Sequence, residues 1–188
     1  MKKNFIACCI AAGLIIVAAP GIGICANLVT NGGFEQKGTE KAPAGWKILI
    51  SRGTKADITF DNTQKHEGTY SYRVSIAPPG GRVALYPKPG SLKNITAGKT
   101  YEASFWIKTK DLDYNRFFLA PAARFNFKPR RIGPGSTLDL MNKLKGVTGW
   151  KKLTIKATAP AGTKKMSFNF ILTKGTVWID DIVIKEVQ

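Results

Sequence analysis

Cysteine is nearly missing from this chain, and its placement excludes much. Of 188 residues only three are cysteine, Cys8, Cys9 and Cys25. From residue 27 onward there is no disulfide framework, no cysteine-based metal site and no thiol nucleophile. Histidine is scarcer still, since His66 stands alone. One histidine without cysteine cannot supply the ligands of a zinc site, and no motif gives it a serine or cysteine nucleophile to activate. Acidic residues number 12 against 29 basic ones. That leaves few carboxylates for the facing pair that glycoside hydrolysis needs. A lyase working through Arg or Lys with Tyr would leave no linear motif and is not ruled out by the sequence; the expectation is nevertheless a protein that binds without turnover.

The one long apolar run lies at the start. Lys2 and Lys3 precede an unbroken small and apolar stretch from Phe5 to Ala19, and Pro20-Gly21 ends it. This is the layout of a secretory signal peptide, too short for a comfortable membrane span of about 20 residues. Cleavage is placed after Ala26. Lipidation at Cys25 is the rival, but Ile24 sits where a small residue is wanted. The expected division is therefore a signal peptide over 1–26 and a single domain over 27–188, secreted or held in the periplasm or at the cell surface. No transmembrane segment is expected in the exported part.

What remains is strongly basic. Residues 27–188 keep 27 basic and 12 acidic side chains, a formal charge near +15. Such a field draws anions: acidic polysaccharide, anionic lipid or nucleic acid. From Asn115 to Leu138 there is no acidic residue, while Arg116, Arg124, Lys128, Arg130 and Arg131 fall inside. Nucleic acid has only charge in its favour, because export and the lack of a recognition motif argue against it.

Period-two patterning dominates the chain. "YSYRVSI" sets Tyr70, Tyr72, Val74 and Ile76 against Ser71, Arg73 and Ser75. "YEASFWIK" sets Tyr101, Ala103, Phe105 and Ile107 against Glu102, Ser104, Trp106 and Lys108. "MSFNFIL" (166–172) and "TVWIDDIVIKEV" (176–187) behave alike. These are strands, separated by the turn-forming "APPGG" (77–81), "PKPG" (87–90), "TAGKT" (96–100) and "APAGT" (159–163). Short strands at this spacing predict a sandwich or a barrel. Only "STLDLMNKLKG" (136–146) reads as helical, with Ser136 as N-cap and Gly146 beyond the end.

"NLVTNGGFE" (27–35), "PAGW" (43–46), "HEGTYSYRV" (66–74), "ITAGKTYEASFWIKT" (95–109), "GWKKLTIKATAPAGT" (149–163) and "GTVWIDDIVIKEV" (175–187) follow one another in this order. Together they resemble the carbohydrate-binding modules of families four and nine, in the galactose-binding-like group. The resemblance spans essentially all of 27–188. It implies an all-β jelly-roll β-sandwich of two antiparallel sheets that binds a polysaccharide or other glycan on a concave sheet face.

The resemblance also implies a structural calcium ion, bound where the N-terminal glutamate and the last strand's aspartates meet the His66 loop. The matching positions are Glu35 and the pair Asp180-Asp181, with carbonyls of Gly33, His66 and Gly68. Calcium takes six to eight oxygens of these kinds. On strict alternation Asp181 shares a face with Ile179 and Val183, and it is the preferred side-chain ligand. Within "NGGFE", Asn27 to Val29 is expected to pair as a first strand, Gly32-Gly33 to turn and Phe34 to enter the core. No helix, Lys or Ser/Thr follows at phosphate-loop spacing.

Sugar rings stack on aromatic faces, and their hydroxyls ask for planar polar side chains. The expected carbohydrate-binding residues are Trp106, Asn169, Arg124, Tyr86, Arg82 and Glu102. Trp46, Trp150 and Trp178 read as core. Family modules often take neutral glucans or xylans, so the acid-free stretch from Arg116 to Arg131 points instead to an acidic or mixed glycan. The alternative class is an envelope or adhesion protein that uses the same sandwich to grip another protein.

Overall fold

Alternation decides the architecture. The structure is a computed structural model and describes residues 26–39, 41–88, 92, 95–112, 118–125, 128–131, 144, 147–163 and 165–187. Ten strands follow in order: β1 (Trp46–Ile50), β2 (Ala56–Asp61), β3 (Ser71–Ile76), β4 (Val83–Pro87), β5 (Thr100–Lys110), β6 (Phe118–Phe125), β7 (Lys128–Arg131), β8 (Lys151–Thr158), β9 (Lys165–Leu172) and β10 (Gly175–Val187). The four strand patterns read from the sequence fall on β3, β5, β9 and β10. The candidate helix lies outside the described residues except for Leu144, which is buried.

The strands form two antiparallel five-stranded sheets, ordered β1-β4-β9-β6-β7 and β2-β3-β10-β5-β8. Sequence neighbours are mostly not sheet neighbours, because the chain crosses between layers as a jelly-roll sandwich does. The inward residues of both sheets make one core. Phe105 of β5 meets Phe168 and Phe170 of β9 at ring-centroid distances of 5.9 and 5.2 Å. Aromatics of this size bury 150–250 Å² each, roughly 4–6 kcal/mol at 25 cal/mol per Å².

Residues 27–36 close one end of the sandwich. Phe34 is fully buried and packs against Trp46 and Tyr72 at 5.2 and 5.3 Å. The stretch Asn27 to Val29 is not a strand, contrary to expectation. Its backbone makes one bond to β10, Leu28 N to Ile184 O at 2.7 Å. The Asn27 side chain makes the others, donating to Ile182 O at 3.1 Å and accepting from Ile184 N at 2.9 Å. The reason is a bulge in β10 between Asp180 and Val183. There Gly32 presses against the Ile182 carbonyl so closely that a Cβ would collide with it.

The same bulge overturns the alternation expected for Asp181. Ile179, Asp180, Ile182 and Ile184 are the buried residues of this stretch. Asp181 turns outward, with a left-handed φ of 48°. An extra residue in one strand locally re-aims side chains.

Candidate functional site

The bulge, the N-terminal turn and the loop after β2 meet at one edge. Asp180 is fully buried, and its Oδ2 accepts from the backbone N–H of His66 at 2.9 Å while its Oδ1 accepts from Asp181 N at 2.8 Å. Burial, and then the neighbouring Asp181 charge, push its carboxyl up from 3.8 to about 6, against the pull of those hydrogen bonds. Asp180 is thus spent on holding the loop. Asp181 Oδ2 lies 2.6 Å from His66 Nδ1, and Glu35 Oε1 accepts from Thr69 N at 2.9 Å and Tyr70 N at 3.2 Å. A Cβ on Gly33 would touch Asp181 Oδ1, Asp180 Oδ1 and Glu35 Cγ, at 3.5, 3.9 and 4.0 Å.

Among the described residues no three His, Cys, Asp or Glu groups converge into a ready metal cluster. The carboxylate oxygens of Asp181 and Asp180 nevertheless approach one glycine, with the Glu35 side chain beside them. Such an all-oxygen set has the chemistry of a hard-cation site. Left-handed backbone gathers here too, at Asn31, Phe34 and Asp181, with φ of 54°, 57° and 48°. A bulky residue such as Phe34 rarely adopts it.

The residues expected to bind sugar divide between two opposite outer faces. Trp106 and Glu102 lie on β5, on the outside of the β2-β3-β10-β5-β8 sheet. Tyr86 of β4 and Asn169 of β9 lie on the outside of the other sheet, with Arg82 entering β4. One groove cannot use all of them. Linear alternation separates inward from outward, but it cannot tell which of two sheets a strand joins.

On the β5 face Trp106 is covered rather than open. His66 stacks on its ring at 3.8 Å with an interplanar angle of 16°, and Trp150 stands edge-on to His66 at 6.0 Å. His66 is therefore more than a turn marker: ring, Nδ1 and backbone N–H each fasten the loop. Glu102 is spent on Lys156 at 3.3 Å and Lys185 at 3.9 Å. Trp150 and Trp178 were expected in the core but are only half-buried, whereas Trp46 is buried. Trp178 faces outward because Val177 and Ile179 take the inward positions of β10.

Trp178 donates Nε1–H to Asp61 Oδ2 at 2.9 Å. Burial alone would raise the Asp61 carboxyl. Hydrogen bonds from the Thr63 hydroxyl, Trp178, and the Thr63 and Gln64 backbones outweigh it and hold it down from 3.8 to about 2. Arg73 lies alongside, 2.6 Å from Asp57 and with its buried Nε 3.7 Å from Asp61. A carboxyl with a depressed pKa stabilises the fold fully above its unfolded value and loses that contribution as pH falls through the folded one. Wild-type stability is therefore expected to drop between pH 4 and 2 in denaturant titrations. Asp61→Asn should start about 1–2 kcal/mol lower and drop less over that interval. Parallel pH profiles would refute this role.

On the other face the register sets Lys47 opposite Tyr86, Leu49 opposite Ala84, and Ala84 opposite Ile171. Tyr86 and Asn169 are half-buried and Lys47 and Arg82 exposed. Neither the Tyr86 hydroxyl nor the Asn169 amide has a hydrogen-bond partner among the described residues. Arg124 lies in β6, in register with Lys165 and Pro129, but its side chain and those of Arg116, Lys128, Arg130 and Arg131 are outside the described residues.

Comparison with known proteins agrees with this architecture. A family model described as "Carbohydrate binding domain" matches residues 26–176. No curated protein matches the chain. Among solved structures, the CBM22-1 xylan-binding domain of Paenibacillus barcinonensis Xyn10C is similar, with a TM-score of 0.55 and 16% identity over 87% of this chain and 96% of that one. TmCBM61 in complex with β-1,4-galactotriose gives 0.54 and 15%, over 86% and 99%. The enzymatically active domain of bacteriophage CBA120 tailspike protein 4 gives 0.58 and 13% over 86% of this chain, which spans only 21% of that longer one. At these identities the likeness speaks for the fold alone.

Proposed function

The chain belongs to the carbohydrate-binding domain family that matches its residues 26–176, and from that premise we propose that it binds a polysaccharide, without turnover, on the outer face of the β1-β4-β9-β6-β7 sheet. The observation that carries this choice is the pair of half-buried polar groups, the Tyr86 hydroxyl and the Asn169 amide, that have no hydrogen-bond partner among the described residues. Trp106 and Glu102, by contrast, are occupied by protein partners. Tyr86 offers a ring for stacking, Asn169 both a donor and an acceptor, and the exposed Arg82 and Lys47 a basic margin. That margin supports an acidic or mixed glycan over a strictly neutral one.

Retardation in gels containing polysaccharide tests the face. Tyr86→Ala should weaken binding by about 1–2 kcal/mol, roughly 5- to 30-fold, and Asn169→Ala by about 1 kcal/mol. Unchanged retardation in both variants would rule the face out. Loss of retardation at high salt would support the basic margin, since exposed charge contacts are screened.

Calcium belongs to the same reading. Glu35 and Asp181 would supply carboxylates, and Gly33, His66 and Gly68 carbonyls. When bound, the ion would tie the N-terminal turn to β10 and to the loop after β2. Export behind the 1–26 leader fits a glycan ligand outside the cell, and among the described residues no helix is long and apolar enough to cross a membrane. The protein-gripping alternative has in its favour Leu49 and Ile50, exposed on edge strand β1. Two residues fall short of the few hundred Å² that mark an interaction patch.

A further inference from the structure

The outer face of the β2-β3-β10-β5-β8 sheet carries a cleft that the Tyr86 face leaves unused. It is an open cleft of about 530 Å³, lined by residues that include Gln64, Lys108, Lys110, Asp111, Thr148 and Trp178. That volume lies in the range of roughly 300–1,000 Å³ that holds small ligands. We propose that this cleft is a second sugar-binding site, which takes an acidic sugar residue with its ring against Trp178 and its carboxylate on Lys108 and Lys110.

The positions are built rather than incidental. Register sets Arg73, Trp178 and Lys108 side by side across β3, β10 and β5. Asp61 fixes the Trp178 indole through Nε1, so the ring is held in one orientation. Lys108 Nζ sits 5.9 Å from the centre of that ring and donates to Gln64 Oε1 at 2.7 Å. An ammonium has three N–H donors, and Gln64 uses one. Two residues on, Lys110 lies on the same side of β5 and is exposed.

Among the described residues neither lysine has a carboxylate within ion-pair distance, whereas Glu102 on the same strand has two lysine partners. Among those residues Lys108 is thus a half-buried cation beside a fixed aromatic, which makes the cleft a place for a ligand anion. Asp111 narrows the ligand class. Its carboxylate repels a compact dianion such as phosphate or sulfate, but accepts hydrogen bonds from sugar hydroxyls. A ring with one carboxylate and several hydroxyls, a hexuronate, satisfies the lysines, Asp111, Thr148 and the indole together. The ligand class rests on the carbohydrate-binding reading, while the place of the site does not.

Titration calorimetry with trigalacturonate, with xylotriose as the neutral control, tests the site in the whole chain. Trigalacturonate should bind the wild type, and more weakly as salt rises. Lys108→Ala and the exposed Lys110→Ala should each weaken that binding about 10-fold. In ¹⁵N spectra one of the four Trp indole signals, identified by its loss in Trp178→Phe, should shift on adding the acidic trimer. Trigalacturonate binding that survives both lysine variants but is lost in Tyr86→Ala would overturn the second site. So would no binding by the wild type, or equal binding of xylotriose at the Trp178 signal. If the Tyr86 face binds no polysaccharide while the acidic trimer still shifts Trp178, the first reading fails and this site stands.

Discussion

Calcium added to chelator-stripped protein is expected to raise its melting temperature by about 8–16 °C. A ligand at a thousand times its dissociation constant stabilises the folded state by about 4 kcal/mol, and in a domain of this size each kcal/mol is worth about 2–4 °C. The expectation rests on Asp181 and the buried Asp180, whose carboxylate oxygens approach Gly33, and on Glu35, which reaches from the N-terminal turn to Gly68 in the loop beside them. Residues 27–188 contain no cysteine, so no disulfide among them ties the N-terminal turn to β10. Glu35→Gln and Asp181→Asn should each remove most of the rise while leaving the calcium-free protein folded. Gly68→Ala should lower the rise as well. Gly68 has a φ of 61°, and a Cβ there would run into the Glu35 carboxylate. The same melting temperature with and without calcium would reject the ion.

Phe34→Ala should cost about 3–5 kcal/mol of stability in urea unfolding, the range for deleting a fully buried aromatic. Its ring fills the space between Trp46 and Tyr72, and the turn that carries it is held through Asn31, whose side chain bonds Gln36 and Ala44. Because the backbone at 34 keeps its left-handed φ after truncation, neither relaxation nor a shift of the turn can refill the cavity cheaply. The calcium increment should survive this variant, since Phe34 supplies no oxygen to the cluster. A loss under 1 kcal/mol would mean that the end of the sandwich is closed by something other than this ring.

The strand content was legible because β3, β5, β9 and β10 alternate with large apolar residues on one side, and a half-buried strand leaves no other signature. β8 was equally legible in its pattern, with Leu153, Ile155 and Ala157 buried between exposed Lys152, Thr154 and Lys156. β1, with its exposed Leu49 and Ile50, breaks the rule, because an edge strand has no neighbour to cover its rim. Asp181 was mis-aimed for a different reason. A bulge shifts the period by one residue, and nothing in "WIDDIVI" announces it. Trp178 was taken for core because of its place in the closing family motif "GTVWIDDIVIKEV", yet its neighbours Val177 and Ile179 take the inward side.

From the sequence alone came the lack of cysteine in residues 27–188, the basic charge, the inward and outward residues of the regular strands, and the family to which the ordered motifs belong. All of these are local or additive properties, written in composition and in short-range period. Tertiary structure alone decided that Tyr86 and Asn169 share one outer face while Trp106, Trp178 and Lys108 share the opposite one. It also decided that His66 covers Trp106, and that Glu35 reaches the loop beside Asp181. Those facts depend on which strand pairs with which, across separations of tens of residues to about a hundred. Pairing of that kind is set by the packing of both sheets on one core, and no window of sequence contains it.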